Sequence, residues 1–210
     1  MGIYQGVDEF LPILQSQDAI WSLNVAYNLA RVQGNNRNIL TGVERASKVV
    51  FALKTYARYD NTGKKQYVQL SEGIDTVLEL YQNQLKHNIE LQKEYAEVEA
   101  IACYPDELIQ VWTNLIHNAL QAMENAGQLM IKIQPADQGV VVKIIDSGCG
   151  IPEEIKSRIF EPFFTTKPAG EGSGLGLDIV KKIVDKHHGS ITVESVPGNT
   201  TFMVTLPYLS

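Results

Sequence analysis

The hydrophobic period of this 210-residue chain changes near residue 61, and that change restricts the fold more than any other feature. Before it, "EFLPILQSQDAIWSLNVAYNLARV" and "ILTGVERASKVVFALKTYARYD" both read as helices. In the second, Val43, Ala46, Val49/Val50, Leu53 and Tyr56/Ala57 recur every three or four residues and paint one apolar stripe. The polar connector "QGNNRN" joins the two into a hairpin, and the stripe needs a partner in a second domain or a second subunit. "NTGKK" then reads as a linker, so the domains are expected at 1–65 and 66–210.

Beyond the linker, strands and helices mix. The pattern predicts a short strand at "QYVQL", a helix from Ser71 to about Leu85, and strands at "IELQKEY" and "VEAIACY". A helix from Pro105 to about Asn125 follows, with proline at its first position and Asp106 and Glu107 in its first turn. Strands "QLMIKIQ" and "VVVKIIDS" come next, then a helix from about Ser173 to His187. "SITVES" and "TTFMVTLP" close as a hairpin on the turn "VPGN". The expected class is α+β: a two-layer α/β sandwich, one mixed sheet with helices on one face, preceded by an α-helical hairpin.

Composition narrows the function. A content of 44% hydrophobic and 20% charged residues suits a chain that buries a core. The net charge of −6 argues against a general binder of nucleic acid or anionic membranes. No apolar run approaches the roughly 18 residues of a membrane helix, and "MGIYQGVDEF" is not built like a signal peptide, so a cytoplasmic location is expected. Cys103 and Cys149 lack metal-type spacing and fit a reducing compartment.

Four stretches can carry chemistry. In "GEGSGLGLDIV", small residues admit a ligand close to the backbone, and the helix that starts there offers free N–H groups and a positive dipole end; a plain hinge is the alternative. In "IIDSGCGIP", a hydrophobic strand ends in Asp146, placed to accept a hydrogen bond from an amine on a bound ring. Gly148 and Gly150 leave room for a flat base, and an ordinary Asx-type turn is the bland reading. In "ELIQVWTNLIHNALQAM", Leu108, Val111/Trp112, Leu115, Ala119 and Ala122/Met123 form the core stripe. Asn114 and Asn118 share a face one turn apart, and an asparagine carbonyl oxygen can ligate Mg²⁺; two solvated asparagines are the alternative. In "IFEPFFTTKPAG", Phe160, Phe163 and Phe164 suggest a lid or a small satellite core, and Lys167 can meet phosphate oxygens as a point charge.

In order and spacing, N-x-x-x-N-A, D-x-G-x-G, F-x-P-F and G-x-G-x-G closely resemble the N, G1, F and G2 boxes of sensor histidine kinases. Their ATP-binding (Bergerat) fold is shared with DNA gyrase B, the Hsp90 chaperones and a mismatch-repair ATPase. The resemblance spans about residues 66–206, including "HHGSITVESVPGNTTFMVTLP". It implies ATP and Mg²⁺ as cofactors. Asn118 would hold Mg²⁺ with Asn114 assisting, and Asp146 would read the adenine amine. Gly148 and Gly150 would shape the base pocket, and Thr200 would approach the base through water. Gly172, Gly174, Leu175 and Gly176 would line the triphosphate, while Lys167 and the phenylalanines belong to the lid.

One position separates the branches of this fold. The gyrase, Hsp90 and mismatch-repair branch carries a glutamate base four residues before the metal asparagine; here that position is Asn114. Glu107 lies about 16 Å along the helix from Asn118, too far to replace it. Slow hydrolysis and transfer to a histidine nucleophile are therefore expected. "GVERASKVVFALKTYARYD" resembles the second helix of the dimerisation and phosphotransfer bundle, which implies a homodimer through the N-terminal helices and a response-regulator receiver domain as partner. No histidine precedes His87, so the acceptor histidine is not found in this chain. The expectation is a chain truncated from a parent protein, itself membrane-anchored or not, or a kinase that acts on a separate histidine-bearing helix. His87, at a helix–strand junction, reads as structural. His187 and His188 read as cations favoured by a helix C-terminus. An ATP-gated interaction module, or a serine kinase of the anti-sigma-factor type, is the alternative function.

Overall fold

The computed structural model describes residues 18–36, 64–124, 126–167 and 172–208. The chain divides into two compact units, Met1–Tyr59 and Asp60–Ser210. In the first unit, residues 19–36 form helix α1. Ile20, Trp21, Leu23, Tyr27, Leu29 and Val32 are exposed on it. The expected second helix lies outside the described residues.

The second unit holds β1 (Gln66–Val68), α2 (Leu70–Leu80), α3 (Gln82–Asn88), β2 (Ile89–Tyr95), β3 (Ile101–Cys103), α4 (Pro105–Ala122), β4 (Gly127–Ala136) and β5 (Gly139–Asp146). It continues with α5 (Glu153–Lys156), α6 (Gly176–Lys186), β6 (Ser190–Val196) and β7 (Asn199–Pro207). Five strands form a mixed sheet in the order β2-β4-β5-β7-β6, and β1 pairs with β3 in a small second sheet. The β2–β4 pair is parallel; β4–β5, β5–β7 and β6–β7 are antiparallel.

Alternation along the strands gives the sheet one buried face, as the two-layer sandwich requires. Leu129, Ile131 and Ile133 on β4, Val140, Val142 and Ile144 on β5, and Phe202, Val204 and Leu206 on β7 all point into the core. Against them pack Val111, Trp112, Leu115, Ile116, Ala119 and Leu120 of α4 and Val180, Ile183 and Val184 of α6. Each fully buried aliphatic side chain contributes about 1.5–3 kcal/mol.

Three helix boundaries differ from the sequence expectation, each for a visible reason. The expected helix from Ser71 to Leu85 breaks at Tyr81 (φ −93°, ψ 6°), beyond which "QNQLKHN" is polar and, among its described side chains, buries only Leu85. Helix α4 stops at Ala122, whose carbonyl accepts the Cys149 N–H (3.1 Å), and Glu124 turns left-handed at φ 52°. Helix α6 starts at Gly176 because Gly174, at φ 66°, cannot lie in a right-handed helix. The expected strand "VEAIACY" shrinks to Ile101–Cys103.

Candidate functional site

The inward rows of three neighbouring strands each end in a polar residue. On β5 the row Val140, Val142, Ile144 ends in Asp146; on β7, Phe202 is preceded by Thr200; on β6, Ile191 and Val193 lead to Ser195. The register sets Asp146 opposite Thr200, and Thr200 opposite Ser195. All three are buried, Asp146 to 3% exposure. The Ile151 N–H donates to Ser195 Oγ (2.8 Å), and Ser195 Oγ lies 2.8 Å from Thr200 Oγ1. If Ser195 donates onward to Thr200, the Thr200 hydroxyl proton is left for a ligand.

Asp146 Oδ1 accepts the Gly148 N–H at 2.9 Å. Burial nevertheless raises its carboxyl to about 6, against the opposing pull of that hydrogen bond. The loop that follows is tied down on several sides. Ser147 N–H reaches the Gln128 carbonyl (3.1 Å), Cys149 N–H reaches Ala122, and Gly198 N–H, in the β6–β7 turn, reaches the Gly148 carbonyl (2.8 Å). A Cβ on Gly148 would stand 2.7 Å from the backbone of Ala122, so only glycine fits there. Gly150 holds φ 81°.

The other half of the candidate site lies along α4 and the start of α6. Asn114 and Asn118 are both half-buried on one flank of α4. Asn114 Nδ2 donates to the Gln110 carbonyl (3.1 Å), while its Oδ1 lies 3.2 Å from where a Cβ of Gly176 would stand. Asn118 makes no side-chain hydrogen bond among the described residues, so its carbonyl oxygen is available. One turn further, the Gln121 side-chain carbonyl accepts a hydrogen bond from Lys167 Nζ. Asn114, Asn118, Lys167 and Gly176 therefore belong to one neighbourhood.

Gly172 lies against the side chains of Thr165 and Lys167, and Gly174 against the backbone of Phe163. Leu175, half-buried, precedes α6, and its N–H reaches Ser173 Oγ (3.4 Å). Helix α6 has no side-chain cap, which leaves N–H groups at its start for an anion. The three phenylalanines separate: Phe160 and Phe164 pack on the core, with Arg158 over the Phe164 ring at 4.6 Å, whereas Phe163 is 74% exposed at φ 65°. Residues 168–171 lie outside the described residues.

The side chains here that could hold Mg²⁺ are the asparagines. Among the described residues, no cluster of three His, Cys, Asp or Glu side chains can hold a metal. An asparagine oxygen beside phosphate groups and waters suits a small hard cation that keeps most of its hydration.

Two residues of this arrangement escaped the sequence reading. Ser195 was legible as a polar residue on the inward face of an alternating strand; Gln121 carried no signal beyond its spacing from Asn118. The histidine expectation is corrected. His187, expected as a cation at the helix C-terminus, is 1% exposed, and burial lowers its pKa from the ordinary value of 6.5, which favours the neutral ring. Glu107 is engaged at the far end of α4, where it pairs with Lys186 at 2.6 Å. Cys103 is buried and Cys149 exposed, both as free thiols. No described helix is long and apolar enough to cross a membrane.

Residues 103–210 match the family described as histidine kinase-, DNA gyrase B-, and HSP90-like ATPase. A sensory histidine kinase/phosphatase NtrB from Proteus hauseri is 30% identical over 177 residues, covering 79% of this chain and 50% of the relative. The chain thus spans about half the length of that relative. The catalytic domain of histidine kinase ThkA superposes with a TM-score of 0.65 at 32% identity, covering 70% of this chain and 100% of that one. ThkA in complex with the response regulator protein TrrA gives a TM-score of 0.66 at 25% identity, covering 98% of this chain and 65% of that one.

Proposed function

Because the chain belongs to the histidine kinase-, DNA gyrase B-, and HSP90-like ATPase family, we propose that it binds Mg-ATP and passes the γ-phosphoryl group to a histidine on a helical bundle. Residues 66–210 serve as the kinase domain, and residues 1–65 as part of the dimerisation and phosphotransfer domain. The exposed apolar side chains of α1 support a homodimer through this region. A response-regulator receiver domain is the proposed downstream partner, by analogy with ThkA and TrrA.

In this reading the Asp146 carboxylate accepts the adenine amine, Thr200 bonds the base through water, and Gly148 and Gly150 keep the wall flat. Asn118 would hold Mg²⁺, with Asn114 beside it, and the ion would supply positive charge against the phosphates. Lys167 leaves Gln121 for the phosphates, and Gly172, Gly174, Leu175 and Gly176 carry the backbone past them. The observation that carries the choice of acceptor is Asn114. Its amide donates to the Gln110 carbonyl and cannot take a proton from water, so the γ-phosphoryl is held for a nucleophile brought by another element.

The test is incubation with Mg²⁺ and γ-labelled ATP, alone and with a histidine-bearing bundle domain from a full-length relative. Acid-labile label on the added domain, absent with Asn118→Ala, is the expected result. Acid-stable label would point to a serine acceptor, and rapid phosphate release without any label would overturn the kinase reading.

A further inference from the structure

Helix α4 opens in an unusual way. Tyr104 is its N-cap and Glu107 stands at the third helical position, the spacing at which a glutamate commonly folds back onto the cap N–H. Here it does not. The Tyr104 N–H donates instead to His187 Nε2 (3.0 Å), at the end of α6, and Glu107 turns to Lys186. Glu107 Oε2 is buried and finds no hydrogen-bond partner among the described residues. An amide can only donate and a carbonyl only accept. Nε2 must therefore carry the lone pair, and Nδ1, 2.8 Å from the Ile183 carbonyl, carries the proton. The Tyr104 ring stands edge-on to the imidazole at 5.5 Å.

We propose that His187 is a positioning residue, a proton-sensitive clamp that locks the start of α4 to the end of α6 and so sets the spacing between Asn114 and Gly176 at the phosphate side. The proposal rests on the ATP reading above. Both helices carry residues of the phosphate side away from the clamp: Asn114 and Asn118 lie in the second half of α4, and Gly176 begins α6. A proton arriving from solvent at Nε2 turns an acceptor into a donor, so the Tyr104 N–H is expelled. The new N–H finds the orphan carboxylate oxygen of Glu107, which suits a cation. In the neutral state Nε2 accepts the Tyr104 N–H. In the protonated state Nε2–H turns to Glu107 and the displaced Tyr104 N–H is left to water, so each state is held by a different bond.

The charged groups around the ring set the balance. Glu107 from α4 favours the imidazolium, whereas Lys186 from α6 and Lys65 from the segment before β1 oppose it, and burial opposes it most. The neutral clamp therefore holds at physiological pH and opens on acidification.

The experiment follows the full chain by imidazole and amide NMR from about pH 7.5 to about pH 5.5, together with the ratio of ATP to adenosine affinity. Adenosine cancels effects of Asp146, which act on the base alone. The expected result is an Nδ1–H tautomer at neutral pH, with the Tyr104 and Gly176 amides moving in step as the ring titrates. The affinity ratio should fall about three- to tenfold in wild type beyond any change in His187→Gln, whose side-chain oxygen accepts the Tyr104 N–H but cannot be protonated. Should His187→Gln fail to fold, Glu107→Gln replaces it and should shift the midpoint to lower pH. An Nε2–H tautomer, or a Gly176 amide that ignores the titration, overturns the clamp. An affinity ratio with the same pH dependence in wild type and variant overturns its link to the phosphates. If neither ligand binds, the ATP reading falls, and the clamp stands or falls on the NMR signals alone.

Discussion

The two halves of the candidate site are built on different principles. On the base side, Asp146, Thr200 and Ser195 sit abreast on adjacent strands, all buried, and the following loop is fastened to α4, β4 and the β6–β7 turn. On the phosphate side, the side chains wait on one another. Lys167 is held by Gln121, Phe163 stands in solvent, and Gly172 and Gly174 touch other loop residues rather than the sheet. One half is tied down by hydrogen bonds without any ligand, and the other has fewer such ties. A base should therefore bind to a nearly finished pocket, while phosphates bear the ordering cost of their own side.

The sharpest way to break this contrast is Asn118→Ala. Phosphoryl transfer should fall about 100-fold or more while adenosine affinity stays as it was, read by labelled-ATP transfer and calorimetry side by side. Loss of adenosine binding as well would mean the two halves are one cooperative unit. Next in size, Asp146→Asn should weaken ATP and adenosine alike by about 10–100-fold.

Asp146 also makes a claim about pH. Its folded-state carboxyl lies near 6, above the ordinary 3.8, so burial favours the protonated form. The stability it contributes is complete below the unfolded value and is lost as pH rises through about 6. Nucleotide-free Asp146→Asn should then melt a few degrees higher than wild type at neutral pH, and the gap should close on acidification. The carboxylate proposed to read the base thus strains the empty protein. A melting curve with no such gap would remove that strain from the account.

Lys167→Ala should cost about three- to tenfold in ATP affinity and nothing for adenosine, because a single point charge shifts from an amide oxygen to phosphate. The smallest effect belongs to neither half. His188 sits at φ 56° in the turn that ends α6, where Gly189 N–H reaches the Val184 carbonyl and His188 N–H reaches Asp185. His188→Gly should stabilise the protein by about 1 kcal/mol in denaturant titration and leave both ligands unaffected.

Legibility in the sequence followed the same division. Strands and the core stripe of α4 were readable because period and burial agree: Leu108, Val111, Trp112, Leu115 and Ala119 are all buried as spaced. Asp146 stood out as a charge closing an apolar strand. What stayed hidden depends on chain segments distant in sequence. The stop of α4 at Ala122 is set by the backbone of Cys149, and the state of His187 by Tyr104, 83 residues earlier. Local pattern carries no trace of either. Lys167 was visible as a charge near glycines, but its engagement with Gln121 was not, since no periodicity links a loop to a helix flank.

The strand order has a consequence for how the protein is made. β7, the last strand in chain order, is interior to the sheet, between β5 and β6. Until residues 199–207 leave the ribosome, β5 presents an open hydrogen-bonding edge and Asp146 has nothing opposite it. A nascent chain that ends before Asn199 therefore carries every phosphate-side residue yet lacks a finished base pocket. Nucleotide that needs the finished base pocket can stabilise the fold only after that strand is inserted, so ligand rescue of a slow or mutant chain waits for residues 199–207.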